Sequence, residues 1–198
     1  MDRARKAGLR MTLDEFLLWD SGDDRRYELI AGEVVMMAPA TEPHGTLVMN
    51  LGASLRPTLS KRPPCRVVAE GAITRPGARD RCYHADVVVT CTPPARGRIL
   101  IEQPLLIAEV LSPSTESTDR RIKVPDYRSI SSLREILLID QGRAFVELLR
   151  RLDGDRWLTI LAIGIDAKVM LESLDLELRL ADLYRDVEIE TDEDAESD

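Results

Sequence analysis

Apolar positions recur along this chain with two different periods, and each change of period marks a new element. Thr12-Leu13-Asp14-Glu15 has the S/T-x-x-E spacing of a capping box and predicts a short helix to about Trp19, stopped by Ser21-Gly22. Tyr27–Ile30 and Glu33–Met37 predict a hairpin around Ala31-Gly32. After a Pro39–Pro43 loop, Leu47, Leu51 and Leu55 recur at i+4 and predict a helix over His44–Leu59. Arg66–Glu70 and Ala72–Arg75 read as a further pair of strands. Two strongly apolar runs follow, Val87-Val88-Val89 and Leu105–Leu111, each with the character of a strand buried on both faces. Ser112-Pro113-Ser114-Thr115 turns the chain into a helix to about Arg128, in which Pro125 marks a kink or a fresh first turn. Glu135–Asp140 is a buried strand, and Phe145–Arg150 and Trp157–Ile163 are outer strands joined near Asp153-Gly154. Leu180–Tyr184 is a closing helical turn. Interleaved strands and helices predict an α/β fold, a mixed central β-sheet flanked by helices.

One position breaks the pattern. Glu109 lies inside the second apolar run, where an ionised carboxylate must pair with a cation, ligate a metal or change its protonation. Asp86 opens the first run. If the two strands are neighbours, roughly 4.8 Å apart, both carboxylates can face one point, the way Mg2+ is held by one or two carboxylates with water and phosphate oxygens completing its shell. Taken singly, Asp86 also suits a strand end and Glu109 a structural ion pair with arginine. Asp119, Lys123 and Tyr127 share one helix face at i, i+4 and i+8. That face either carries an exposed ion pair or packs over Glu109 and brings Lys123 to the site.

These residues resemble the metal-dependent PD-(D/E)xK nuclease superfamily, with Asp at a strand start, Glu inside the next strand and then Lys. More narrowly, Tyr27-Glu28-Leu29-Ile30 with Gly32-Glu33, Pro39, His44, Asp86-Val87-Val88-Val89, Glu109 through Thr115, Asp119, Lys123, Tyr127 and Ile139-Asp140 resemble the Uma-type family of bacterial restriction endonucleases. The resemblance spans about Leu13 to Leu148. It implies a restriction-endonuclease-like fold and an endonuclease that hydrolyses phosphodiester bonds, most naturally in DNA. Its cofactor would be Mg2+, with Mn2+ as substitute, held by Asp86, Glu109 and the carbonyl of Val110. Ala85 stands where the superfamily has proline, and Leu111 where its lysine would be, so the lysine role passes to Lys123. Glu28 is implied as a further acidic member of the site, its other role being a solvent-facing strand residue or arginine partner. His44, near the start of its helix, is expected to cap it or lie on the surface, its other role being contact with a phosphate. A catalytically silent nucleic-acid-binding or protein-interaction member of the same fold is the rival reading.

Composition adds limits. With 44% hydrophobic and 31% charged residues over 198 positions, the chain suits one domain with a sizeable core. Residues 1–11 are expected to be a flexible basic segment, 12–185 the single nuclease domain and 186–198 an acidic disordered tail. No apolar run is long enough for a membrane span, and no signal-peptide pattern is present, which gives a cytoplasmic expectation without membrane partners. Cys65, Cys82 and Cys91 are odd in number and form no C-x-x-C pair, which argues against a disulfide framework and a zinc site, and they are expected to be reduced. The net charge of −8 is concentrated in 186–198, where eight acids and no bases leave 27 acids against 27 bases in the rest. Residues 56–81 carry seven bases against two acids, so Arg62, Arg66, Arg75, Arg79 and Arg81 are candidate nucleic-acid contacts, or else a solvated face. Cutting both strands of a duplex would favour a homodimer.

Overall fold

The computed structural model describes residues 5–190. Its centre is a six-stranded mixed sheet formed by β4 (Arg66–Ile73), β5 (Tyr83–Thr90), β6 (Pro104–Leu111), β7 (Glu135–Asp140), β8 (Phe145–Arg151) and β9 (Trp157–Ile163), which lie side by side in chain order. Only β6 and β7 run parallel. The crossover between them must therefore carry the chain back across one face, and it supplies the short helices that cover Glu109. The expected α/β class, a mixed sheet flanked by helices, is the one observed.

One face packs against the long helix α2 (Glu42–Leu59), whose row Leu47, Leu51, Leu55 and Leu59 meets Val87, Val89, Leu106 and Ala108. Thr41 caps this helix by accepting from the His44 N–H. The other face is covered by α3 (Glu116–Thr118), a π-helical turn over Asp119–Lys123 and α4 (Val124–Arg128), with Val124 and Tyr127 packed on Val88 and Ile107. The expected helix thus runs on to Arg128, with one π-helical turn in its middle. Pro125 supplies no N–H for the carbonyl of Arg121, and the turn before it widens.

A second sheet of three strands, β1 (Arg5–Arg10), β3 (Glu33–Met36) and β2 (Tyr27–Ile30), holds the predicted hairpin. Its turn residues Ala31 and Gly32 have φ of 51° and 80°, a two-residue turn that matches strand twist. The helix α1 (Leu13–Leu18) carries the predicted capping box between Thr12 and Glu15. The basic segment before it, expected to be loose, instead runs as β1 along β3, with Arg10 bonded to Glu33 and to the carbonyl of Ala31. Backbone pairing to an open strand edge outweighs local charge there. The hairpin is fastened to the main sheet by paired backbone hydrogen bonds of 2.9 Å between Leu29 and Cys82.

Four further expectations are corrected. Arg66–Ile73 is one strand, bent at Glu70 (φ 53°) rather than divided into two. Cys65 and Cys91 are joined in a disulfide rather than reduced. The antiparallel register Arg66↔Thr90 makes them the next facing pair, a relation invisible before strand pairing is known; Cys82 alone is a free, buried thiol. A hairpin of β10 (Lys168–Leu171) and β11 (Leu176–Arg179) precedes α5 (Leu180–Leu183), where the sequence pattern showed only the latter. Of the acidic tail, Val187 and Ile189 pack on the core and Glu190 N–H donates to the Gly142 carbonyl at 2.7 Å; residues 191–198 lie outside the described residues. No described helix is long and apolar enough to cross a membrane.

Candidate active site

The β5–β6 register runs through Val87↔Ala108, so Asp86 and Glu109 stand opposite one another on adjacent strands. Asp86 Oδ2 accepts the Val110 N–H at 2.7 Å, and Glu109 Oε2 lies 3.4 Å from the Asp86 N–H. Each strand therefore orients the carboxylate of the other through its own backbone. Both residues border a cavity of about 390 Å3, closed on one side by the Met37–Thr41 loop and on another by Ser112–Thr115. The predicted pair of carboxylates is brought together, and Val110 lies beside it.

Lys123 comes from the opposite direction, on the π-helical turn. Its side chain is only 4% exposed, and Nζ lies 2.9 Å from Glu28, 3.1 Å from Asp119 and 3.5 Å from Glu109. The Asp119 Oδ1 contact lacks hydrogen-bond alignment, so its attraction is Coulombic. Glu28 reaches the cluster from β2 and is fixed there by the His84 N–H at 3.1 Å. Tyr127 donates to Glu109 Oε1 at 2.6 Å. The shared face of Asp119, Lys123 and Tyr127 thus packs inward over Glu109, and Glu28 is a buried member of the same cluster rather than a solvent-facing residue.

The charges are unevenly matched. Burial opposes the charge on Lys123, but Glu109, Glu28 and Asp119 outweigh it and hold the ammonium well above its ordinary pKa. Glu109 is pushed well above the carboxylate range by burial, with Asp86 and Asp119 adding to the shift and Lys123 and Tyr127 opposing it. One lysine thus serves three acids, and Glu109 is the least well served. That is a pocket in which an added cation is stabilising.

His44, expected at the surface or as a cap, places Nε2 3.2 Å from Asp86 Oδ1. Its pKa is raised, first by the hydrogen bond to Asp86 and against the effect of burial. Arg26, which the sequence reading did not single out, also lines the cavity and pairs with Glu70. His44 was legible as one of the residues carrying the family resemblance, near the start of its helix, but not as a partner of Asp86; Arg26 had no sequence signal.

The five candidate arginines do not form one stripe. Arg62 and Arg66 lie before or at the start of β4 and bond the carbonyls of Ser173 and Thr92. Arg75, Arg79 and Arg81 lie past its other end, an eight-residue strand or roughly 26 Å away. Arg81 pairs with Asp126 at 2.9 Å, Arg75 lies 3.6 Å from the same carboxylate, and Arg79 is exposed. None of the five borders the cavity.

Among the described residues no group of three or more His, Cys, Asp or Glu side chains is arranged to hold a metal. Two carboxylates with oxygen donors alone, next to open volume, nonetheless fit Mg2+, which keeps several waters and is bound by one or two protein carboxylates.

Comparison with known proteins agrees with this architecture. The chain is 29% identical over 162 residues to the uncharacterized protein sll1609 of Synechocystis sp., covering 80% of this chain and 91% of that protein. It is 26% identical over 177 residues to the uncharacterized protein slr1290 of the same organism, covering 89% and 92%. The crystal structure of a protein from Anabaena variabilis, described as a "putative nuclease belonging to DUF820", superposes with a TM-score of 0.71 at 22% identity over 88% of this chain and 98% of that one, which establishes a common fold. Residues 13–187 match the Uma2 family, described as "Putative restriction endonuclease", and the chain belongs to that family.

Proposed function

We propose that this protein is a Mg2+-dependent endonuclease that hydrolyses phosphodiester bonds, with DNA as substrate, and that it acts as a homodimer. The observation that carries the reading is the facing pair Asp86 and Glu109 at a cavity, with a positive shift on the pKa of Glu109 that a divalent ion would reverse. Asp86, Glu109 and the carbonyl of Val110 would hold the ion. When bound, it would polarise the scissile phosphate and supply an activated water.

The chain's own groups have separable tasks. Asp86 is oriented by the Val110 N–H, so the carboxylate is preset before any ligand arrives. Lys123 balances the buried acids and keeps Glu109 directed at the cavity floor. For its ammonium to orient a water or meet a phosphoryl oxygen, it exchanges the long 3.5 Å contact to Glu109 and keeps the shorter ones to Glu28 and Asp119. Tyr127 fixes the remaining rotation of Glu109.

The test is cleavage of duplex, branched and single-stranded DNA and of RNA with Mg2+ or Mn2+, using wild type, Asp86→Ala and Glu109→Ala. Cleavage by wild type alone supports the proposal; equal inertness of all three on every substrate removes it. In parallel, saturating Mn2+ at 100 times Kd should raise the stability of wild type by about 2.7 kcal/mol and leave Asp86→Ala unshifted. A silent binding protein would show no shift in either.

A further inference from the structure

The two edges of the six-stranded sheet are treated differently. At the β4 edge the strand carries Arg66 and Glu70, bends at Glu70 and is partly covered by a bridge from Ala72 to Leu100. Such features keep an edge from pairing with another chain. At the other edge, β9 reads Trp-Leu-Thr-Ile-Leu-Ala-Ile, with no charge and no proline, pairs residue for residue with β8, and has no strand partner on its outer side among the described residues. Nine large hydrophobic side chains are exposed among the described residues, and six of them, Leu152, Leu158, Leu161, Ile163, Ile165 and Met170, lie on this strand or close to it in sequence. Leu161 and Ile163 are 54% and 69% exposed.

We propose that the outer edge of β9 pairs antiparallel with β9 of a second copy of this chain, so that the sheet continues across a two-fold axis. Two arguments favour a second copy over another partner. An antiparallel edge is the one kind of strand pairing that a two-fold axis gives to identical chains, and an uncharged strand meets itself without like-charge contacts. Centred on Ile160, the middle of the strand, the pairing sets Arg156 of each copy opposite Gly164 of the other and keeps every charged residue outside the paired segment. Leu161 and Ile163 stand on one face of β9 and Leu158 on the other, so the continued sheet would carry exposed apolar side chains of both copies side by side on each face.

This surface gives the homodimer of the functional proposal its contact but does not depend on nuclease activity. The strand β9 lies three spacings, roughly 14 Å, from the β6 strand that carries Glu109, so breaking the pairing should leave each metal site intact. The experiment is sedimentation velocity on the full chain across micromolar concentrations. The expected result is a species of twice the chain mass for wild type and for the exposed-surface controls Leu18→Lys and Met49→Lys, and the single chain mass for Leu161→Lys with Ile163→Lys, at unchanged circular dichroism. Hydrogen exchange gives a second reading that needs no variant: β9 amides should slow as concentration rises while those at the β4 edge do not. A wild type that sediments as a monomer with concentration-independent exchange overturns the proposal. So does a β9 double variant that stays dimeric, or a wild-type strand protected only by a different protein. Whether the protein cleaves DNA affects none of these outcomes.

Discussion

At the scale of single residues, the chemistry turns on one ammonium shared among three buried acids. Replacing Lys123 with Met keeps the volume but leaves Glu28, Glu109 and Asp119 without their cation, and should cost about 3 to 5 kcal/mol in urea unfolding. Glu109→Gln should do the reverse without metal. It removes the least compensated charge while Lys123 keeps Glu28 and Asp119, so apo stability should hold or rise by about 1 kcal/mol and the Mn2+-induced shift should vanish. Loss of stability in both variants would mean that Glu109 is the acid Lys123 exists to pair with, and would count against a metal role. Cys82, whose backbone pairs with Leu29 beside Glu28, offers a pH test. Burial first, and Glu28 second, push its thiol up from 9.0 to about 12. The unfolded thiol ionises above pH 9 while the folded one keeps its proton, so the stability this group contributes is present below pH 9 and lost as pH rises toward 12. Native protein at pH 8 should resist iodoacetamide at Cys82 and react once unfolded, as mass spectrometry would read directly. The carboxylate in an apolar run identified Glu109 from sequence; spacing put Asp119 and Tyr127 on one face, and the structure turned that face inward. His44 had no such signal as a partner of Asp86, because its distance to Asp86 depends on where α2 begins relative to β5.

At the scale of elements, local pattern was a good guide wherever a strand or helix buries one recognisable face. The capping box, the Ala31-Gly32 turn, the leucine row of α2 and the apolar strands β5, β6 and β7 all form where the spacing put them. The failures share a cause: they lie where pairing rather than propensity decides. The segment Arg5–Arg10 is basic and unremarkable until β3 offers it an edge, and β4 reads as two pieces because Glu70 and Gly71 interrupt its apolar pattern. Gly71 is required there. A Cβ would lie 2.9 Å from Val88 Cγ2 and 3.0 Å from Ile101 Cγ1, so Gly71→Ala should lower stability by about 1 to 3 kcal/mol through overpacking. Thermal unfolding of Gly71→Ala beside Gly52→Ala, whose Cβ meets nothing within 4 Å, separates packing from the general effect of losing a glycine.

At the scale of the whole molecule, charge is the property most easily altered. Deleting residues 191–198 removes five acids and takes the net charge from −8 to −3. Duplex affinity measured by fluorescence anisotropy should then rise at low ionic strength, with the gain fading above about 0.15 M salt; an equal gain at every salt concentration would mean that the segment acts by something other than charge. The amino-acid sequence by itself determined the α/β class, most strand and helix positions, and the candidacy of Glu109 with Asp86, because burial periodicity and a misplaced carboxylate are local signals; Lys123 was added by the family resemblance. Only the tertiary structure decided between the two roles open to Glu28, brought His44 to Asp86, joined Cys65 to Cys91, and separated the arginines of residues 62–81 to the two ends of β4. Those relations are set by strand register and by which helix crosses which face. Both come from contacts between residues far apart in the chain, and no single stretch of it carries that information.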